Sequence, residues 1–165
     1  MTPALNEYDQ NRLWENLIGA ETRSLYFAAL VQTLRVRQRW LTGGSLILSS
    51  GAAITIFTSA LPEHAWVKGV LALLSAVFSA VSLVSANEKN AIEASDLSYR
   101  WQNLANSYQQ LWSDMYAEDA PERLRELSDE EAKVSKSSTS LPNMVRLMEE
   151  AEDNVAMHYS RKLAA

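Results

Sequence analysis

A chain of 165 residues has room for one domain. Its net charge of -5 and pI near 5.1 exclude nucleic acid as a main partner, because neutralising phosphates needs a basic stripe. It has no cysteine, which removes disulfides, thiol nucleophiles and thiolate metal sites.

The opening Met1-Thr2-Pro3-Ala4-Leu5-Asn6-Glu7 lacks a basic region followed by an apolar one, so no cleavable signal is expected there. Residues 5–40 hold no proline and one glycine, Gly19, and predict a long cytoplasmic helix. Leu13, Leu17, Ala20, Ser24, Phe27, Val31 and Leu34 alternate at spacings of four and three, a heptad-like seam for a neighbouring helix that Leu25, Tyr26 and Ala28 widen.

Residues 41–86 organise the rest. The stretch 41–61, LTGGSLILSSGAAITIFTSAL, has no charged residue, and neither has 69–86, GVLALLSAVFSAVSLVSA. As helices they would span about 27 to 32 Å, the thickness of a bilayer's hydrocarbon. A polar connection, residues 62–68, joins them into a two-pass transmembrane hairpin. The competing reading is a pair of buried helices in a soluble bundle. Gly43, Gly44, Gly51 and seven hydroxyls in the first stretch favour it; the want of any polar face in either stretch opposes it.

Trp40 and Trp66 sit where interface anchors are expected. Arg23, Arg35, Arg37 and Arg39 precede the hairpin, Lys89 and Arg100 follow it, and the turn holds only Lys68. This bias predicts that both termini are cytoplasmic.

Hydroxyls mark faces of the two spans. Ser75, Ser79, Ser82 and Ala86 fall on one line; Ser45 and Ser49 form a second; Gly51, Thr55 and Ser59 form a third. One reading is close helix contact, with hydroxyls bonding across the interface. The other is a conduit lined by serines when several hairpins assemble. With no charge inside either span, a proton relay, voltage sensor or charged selectivity ring is excluded.

In residues 87–116, Asn87-Glu88-Lys89-Asn90 marks a return to water. Ala94, Leu97, Trp101, Leu104, Tyr108, Leu111 and Met115 then keep an unbroken three-four alternation. This helix is expected to run antiparallel to the first as a stalk. Two helices make a thin core, so Leu97, Trp101, Leu104, Tyr108, Leu111 and Met115 are expected to meet other protomers.

Residues 117–141 are acidic. Pro121 suits a first helical turn, Ser128-Asp129-Glu130-Glu131 has capping-box spacing, and residues 136–140 read as a flexible linker. Residues 142–163 predict an amphipathic helix with Met144, Leu147, Met148, Ala151, Val155, Tyr159 and Leu163 on one side. Its Glu149, Glu150, Glu152 and Asp153 favour packing on protein over an anionic lipid surface.

No phosphate loop, dinucleotide fingerprint or His-Glu-x-x-His motif occurs. The two histidines, His64 and His158, fall on opposite sides of the expected membrane, and the carboxylates lie on solvated faces. No catalytic residue, metal or cofactor is expected, and the chain does not read as an enzyme.

Arg23, Tyr26 and Ala28, then Arg37-Gln38-Arg39-Trp40, the small-residue span with Gly43-Gly44 and Leu48-Ser49-Ser50-Gly51, and Glu88, Ala94, Leu97, Ala105, Tyr108 and Leu111 after the second span follow one another in order. Across residues 12–116 this order resembles the SLATT proteins, two-transmembrane effectors of bacterial conflict systems found beside nucleotide-second-messenger synthases and sensors. The resemblance implies an all-α membrane protein of the bacterial inner membrane and an antiphage role. An upstream nucleotide signal or sensor would make a homo-oligomer open a pore or otherwise breach the bilayer, arresting the infected cell. It supplies no catalytic residues. The alternative is a membrane-anchored coiled-coil scaffold without pore activity; a phage holin fits less well, because holins seldom need a long cytoplasmic stalk.

Overall fold

The structure is a computed structural model that describes residues 4–49, 70, 73, 77 and 87–163. Among these the chain is all-helical: α1 (Glu7–Ser49), α2 (Asn87–Ser113), α3 (Ala120–Ser137), a 3-10 turn (Ser138–Ser140) and α4 (Val145–Leu163). It divides into two compact units, Met1–Val31 with Ile92–Ala165, and Gln32–Ala91.

In the first unit, α1 starts where the Asn6 side chain accepts the Asp9 N–H at 2.8 Å, an N-cap, with Glu7 and Asp9 against the positive helix end. The Ala4 N–H donates to the Met115 carbonyl, and Leu5 is buried. Going up α1, the partners on α2 run down. Asn16 meets Tyr108, and Ser24 meets Gln102 and Ser98. The two helices are therefore antiparallel, as the sequence predicts. Leu13, Leu17, Ala20, Ser24 and Phe27 are buried along the expected seam. The widening differs: Leu25 and Ala28 are exposed, while Tyr26 and Leu30 are buried. Residues 26 and 30 share a face, and that face meets further helices of the same chain.

The stripe on α2 is buried from Ala94 through Leu97, Trp101, Leu104 and Tyr108 to Leu111, all at 3% exposure or less. The helix stops at Ser113, so Met115 lies in the following turn and is half-buried. Leu97, Trp101, Leu104, Tyr108 and Leu111, expected at contacts between protomers, are buried within one chain. Contacts to this stripe come from α1, through Asn16 and Arg23, and from α3, through Glu131, whose acidic segment reads in sequence as solvated surface. Pro121 sits in the first turn of α3 as predicted, and Ala120, Leu124 and Val134 face inward.

Two local expectations are corrected. Ser128 is not a cap: its hydroxyl donates to the Leu124 carbonyl in mid-helix. Residues 136–140 are not a loose linker either. The hydroxyls of Ser137, Ser138 and Thr139 each donate to the carbonyl three residues back, which carries α3 into the 3-10 turn.

The last helix packs on protein, as its charge pattern predicts. Tyr26 donates to the Pro142 carbonyl and accepts the Met144 N–H, both at 3.2 Å. Tyr159 meets the Trp14 ring edge-on at 4.9 Å between centroids. Among the described side chains of α4, Ala151 and Val155 are buried and Leu147, Met148 and Tyr159 half-buried, as is Met144 just before the helix. Full burial of one valine is worth about 1.5–3 kcal/mol, whereas Trp101 and Tyr108 each bring roughly 150–250 Å² to the core. The grip on α4 is the weaker one.

The second unit buries Leu34, Asn87 and Ala91. Asn87, expected to mark a return to water, instead donates to the Gln38 side chain at 3.5 Å, while Glu88 and Lys89 are exposed. Around Gln38, Arg35, Val36, Arg37, Arg39 and Trp40 are exposed. Helix α1 continues without a break from the pre-hairpin segment into the first nine residues of the predicted span 41–61. Among the described residues no helix is long and apolar enough to cross a membrane. The rest of 41–61 and the connection 62–68 lie outside the described residues, as does 69–86 apart from Val70, Leu73 and Val77.

Candidate functional site

Two groupings of side chains stand out, one in each unit. The first is a polar cluster where α1, α2 and α3 meet. Arg23 pairs with Glu131 at 3.0 Å, and the Tyr108 hydroxyl donates to the other Glu131 oxygen at 2.9 Å. The Asn16 amide donates to the Tyr108 oxygen at 3.3 Å. The Arg23 guanidinium carbon lies 4.7 Å from the centre of the Trp101 ring, a cation–π contact.

Burial, and then the charge of Glu131 and the hydrogen bond to it, push the Tyr108 hydroxyl above its ordinary value of 10.0. Tyr108 is thereby held protonated as a donor, and Glu131 is held as an acceptor between a cation and a hydroxyl. The Tyr108 hydroxyl is not set to give up its proton near neutrality. The cluster clamps three helices together. Its cost is Trp101 Nε1, a buried donor without a hydrogen-bond partner among the described residues.

Beside this cluster, Glu21, Leu25, Gln102, Asn154, Val155 and His158 line a groove of about 300 Å³. Tyr159 flanks it, its hydroxyl pushed up by burial and by the carboxylate of Glu21. Among the described residues no three His, Asp or Glu side chains converge as metal ligands.

The second grouping is a collar on α1. Arg35, Arg37 and Arg39 are exposed and form no ion pair among the described residues. Trp40 is 77% exposed and Val36, one turn before it, is also open. Trp40 thus stands outward where the sequence expects an interface anchor.

The predicted conduit or contact residues fare unevenly. Ser45 and Ser49 fall within α1. Thr55, Ser59, Ser75, Ser79, Ser82 and the second anchor Trp66 lie outside the described residues. A Cβ added at Gly43 would meet nothing within 4 Å, so close packing does not require a glycine there. In the second predicted span, Val70, Leu73 and Val77 are helical and exposed, at i, i+3 and i+7 on one face.

Sequence reasoning missed the Asn16–Tyr108–Glu131–Arg23 cluster. Tyr108 reads there as one more member of the apolar stripe, and Arg23 and Glu131 are 108 positions apart. A tyrosine in place of leucine at a buried heptad position is the signal that a polar partner waits nearby. The chain matches no protein-family model, no curated protein and no solved structure.

Proposed function

We propose that the chain is a membrane effector: residues 41–86 enter the bilayer as a hairpin, and activation of a homo-oligomer breaches the membrane. One observation carries the reading. Two stretches, 41–61 and 69–86, hold no ionised side chain, in a chain where charged residues make up 21%. The outward aliphatic line of Val70, Leu73 and Val77 supports it, since an exposed apolar row calls for an apolar medium. The resemblance to SLATT proteins supplies the finer part: the bacterial inner membrane, an upstream nucleotide signal or sensor as trigger, and arrest of an infected cell as the outcome.

Expression in a bacterial host tests both levels. The chain is expected to stay in the membrane pellet through an alkaline carbonate wash, and its triggered form is expected to collapse the membrane potential. Recovery in the wash supernatant overturns insertion. Retention with an intact potential under the trigger leaves the hairpin and removes the breach. Ser79→Leu sharpens the second arm, because a residue facing a conduit or a neighbour should lower leakage or assembly when enlarged.

A specific observation favours a second reading, a membrane-anchored scaffold. The α2 stripe that would have driven oligomerisation is already buried within one chain, so the first unit needs no second protomer to bury its core. Replacing residues 41–86 by an unrelated hairpin separates the two, since a scaffold keeps its function and a pore loses it.

A further inference from the structure

The collar is charged against the grain of the chain. The unit Gln32–Ala91 holds five cations, Arg35, Arg37, Arg39, Lys68 and Lys89, against the carboxylates Glu63 and Glu88, a net of +3. The remaining residues therefore carry -8 of the chain's -5. Three of those cations fall within five consecutive residues of one helix, all exposed, with no ion pair among the described residues.

Their placement limits what they fit. At about 100° per residue, Arg35 and Arg39 share one side of α1 and Arg37 takes the opposite side. A linear polyanion lying along one face would miss one side or the other; an anionic layer pierced by the helix would meet all three. Along the axis, Arg35 to Arg39 spans about 6 Å, close to the depth of one headgroup layer. Trp40 follows directly, 77% exposed, with Val36 one turn below on the same side. An indole beside guanidiniums is the composition of a headgroup boundary, where one end of the ring is wet and the other apolar. On α2, Lys89 adds a cation beside the Gln38–Asn87 contact and Glu88 opposes it, so the surplus is that of the three arginines.

We infer that Arg35, Arg37 and Arg39, anchored by Trp40, form a contact surface for the phosphates of anionic phospholipid headgroups. The inference rests on the bilayer reading for the source of those phosphates. The guanidiniums bind phosphate oxygens in a fork geometry.

Flotation of the purified full chain with two kinds of vesicle tests this, one of phosphatidylcholine alone and one containing about one-third phosphatidylglycerol. A basic residue near an anionic surface is worth about fivefold in partitioning, so three predict a preference on the order of 100-fold for the anionic vesicles at low salt, fading at high salt. The triple variant Arg35→Gln/Arg37→Gln/Arg39→Gln should lose that preference while helicity and the melting of the bundle stay unchanged. The corresponding triple Lys variant should keep most of it.

Equal partitioning of the parent chain, a preference indifferent to salt, or a preference that survives the triple Gln change overturns the inference. Should the Gln variant fail to fold, the salt titration of the parent chain still decides. A carbonate wash of the floated vesicles separates this result from the bilayer reading. Protein stripped by the wash yet selective for phosphatidylglycerol keeps the collar and loses insertion; protein that resists the wash without selectivity does the reverse.

Discussion

Trp101 and Trp40 are the same residue on two helices of one chain, with opposite fates. Trp101 is fully buried, its ring capped by Arg23 and walled by the α1 seam, even at the cost of an unpartnered indole N–H. Trp40 is 77% exposed beside three arginines that form no ion pair among the described residues. The unit that holds Trp101 is acidic and buries its own apolar stripe. The unit that holds Trp40 is basic and leaves Val36, Val70, Leu73 and Val77 in the open. One unit buries its apolar stripe within the chain, whereas among the described residues of the other an aliphatic row stands open, and this contrast supports the membrane proposal.

The contrast can be broken at its strongest point. Trp101→Ala should destabilise the bundle by about 3–5 kcal/mol in urea unfolding followed by far-ultraviolet circular dichroism, because a buried indole leaves a cavity its neighbours fill only in part. Next in size, Val155→Asp puts a charge at a buried position of α4. A loss of about 3 kcal/mol is expected, read as faster amide exchange across Val145–Leu163 with α1 and α2 still protected.

Tyr108→Phe should cost about 1 kcal/mol by taking a donor from Glu131. It should also change the response to alkali. The folded-state hydroxyl titrates above its ordinary value of 10.0, so its contribution is whole below pH 10 and is lost as the pH climbs from there toward the folded-state value. The parent bundle should therefore weaken above pH 10 more steeply than the Phe variant. Tyr159, shifted in the same direction, keeps some of the slope in both.

Gly19→Ala should stabilise by about 0.5–1 kcal/mol, since the new Cβ meets only the Arg23 guanidinium at an ordinary 3.5 Å and removes a helix-interior glycine. Smallest of all, Trp40→Ala should leave bundle stability within about 0.5 kcal/mol while lowering partitioning onto anionic vesicles. A large loss of stability there would mean that Trp40 is packed, and the contrast between the two tryptophans would fail.

What could be read in advance follows from which signals are local. The alternation from Ala94 to Leu111 marks a helix face whatever covers it, so the helix and its buried side were legible. The identity of the cover was not. On α3 only Ala120, Leu124 and Val134 turn inward among Glu122, Glu126, Asp129, Glu130 and Glu131, too sparse a row to announce a packing face. The stripe was matched with α1, and the rest of its cover was expected from other protomers, whereas α3 supplies part of it in the same chain through Glu131. The end of α2 at Ser113 was equally hidden, because Met115 keeps the spacing after the helix has stopped. The linker deceived through composition: serines and threonine that suggest looseness each find a carbonyl three residues back. The Arg35–Trp40 segment was legible as charge and aromatic content, though not as a run in which the three arginines and Trp40 all stand exposed while Gln38 meets Asn87.

The Tyr26 hydroxyl fixes the beginning of the final helix with a single oxygen, giving its proton to the Pro142 carbonyl and receiving one from the Met144 amide. Because both bonds meet at one atom, the starting point of that helix is quantised: it is seated at this residue or it is adrift. A phenylalanine there would keep the ring in its slot and forfeit the latch, leaving the Trp14–Tyr159 contact at the far end as a pivot about which the whole segment could swing.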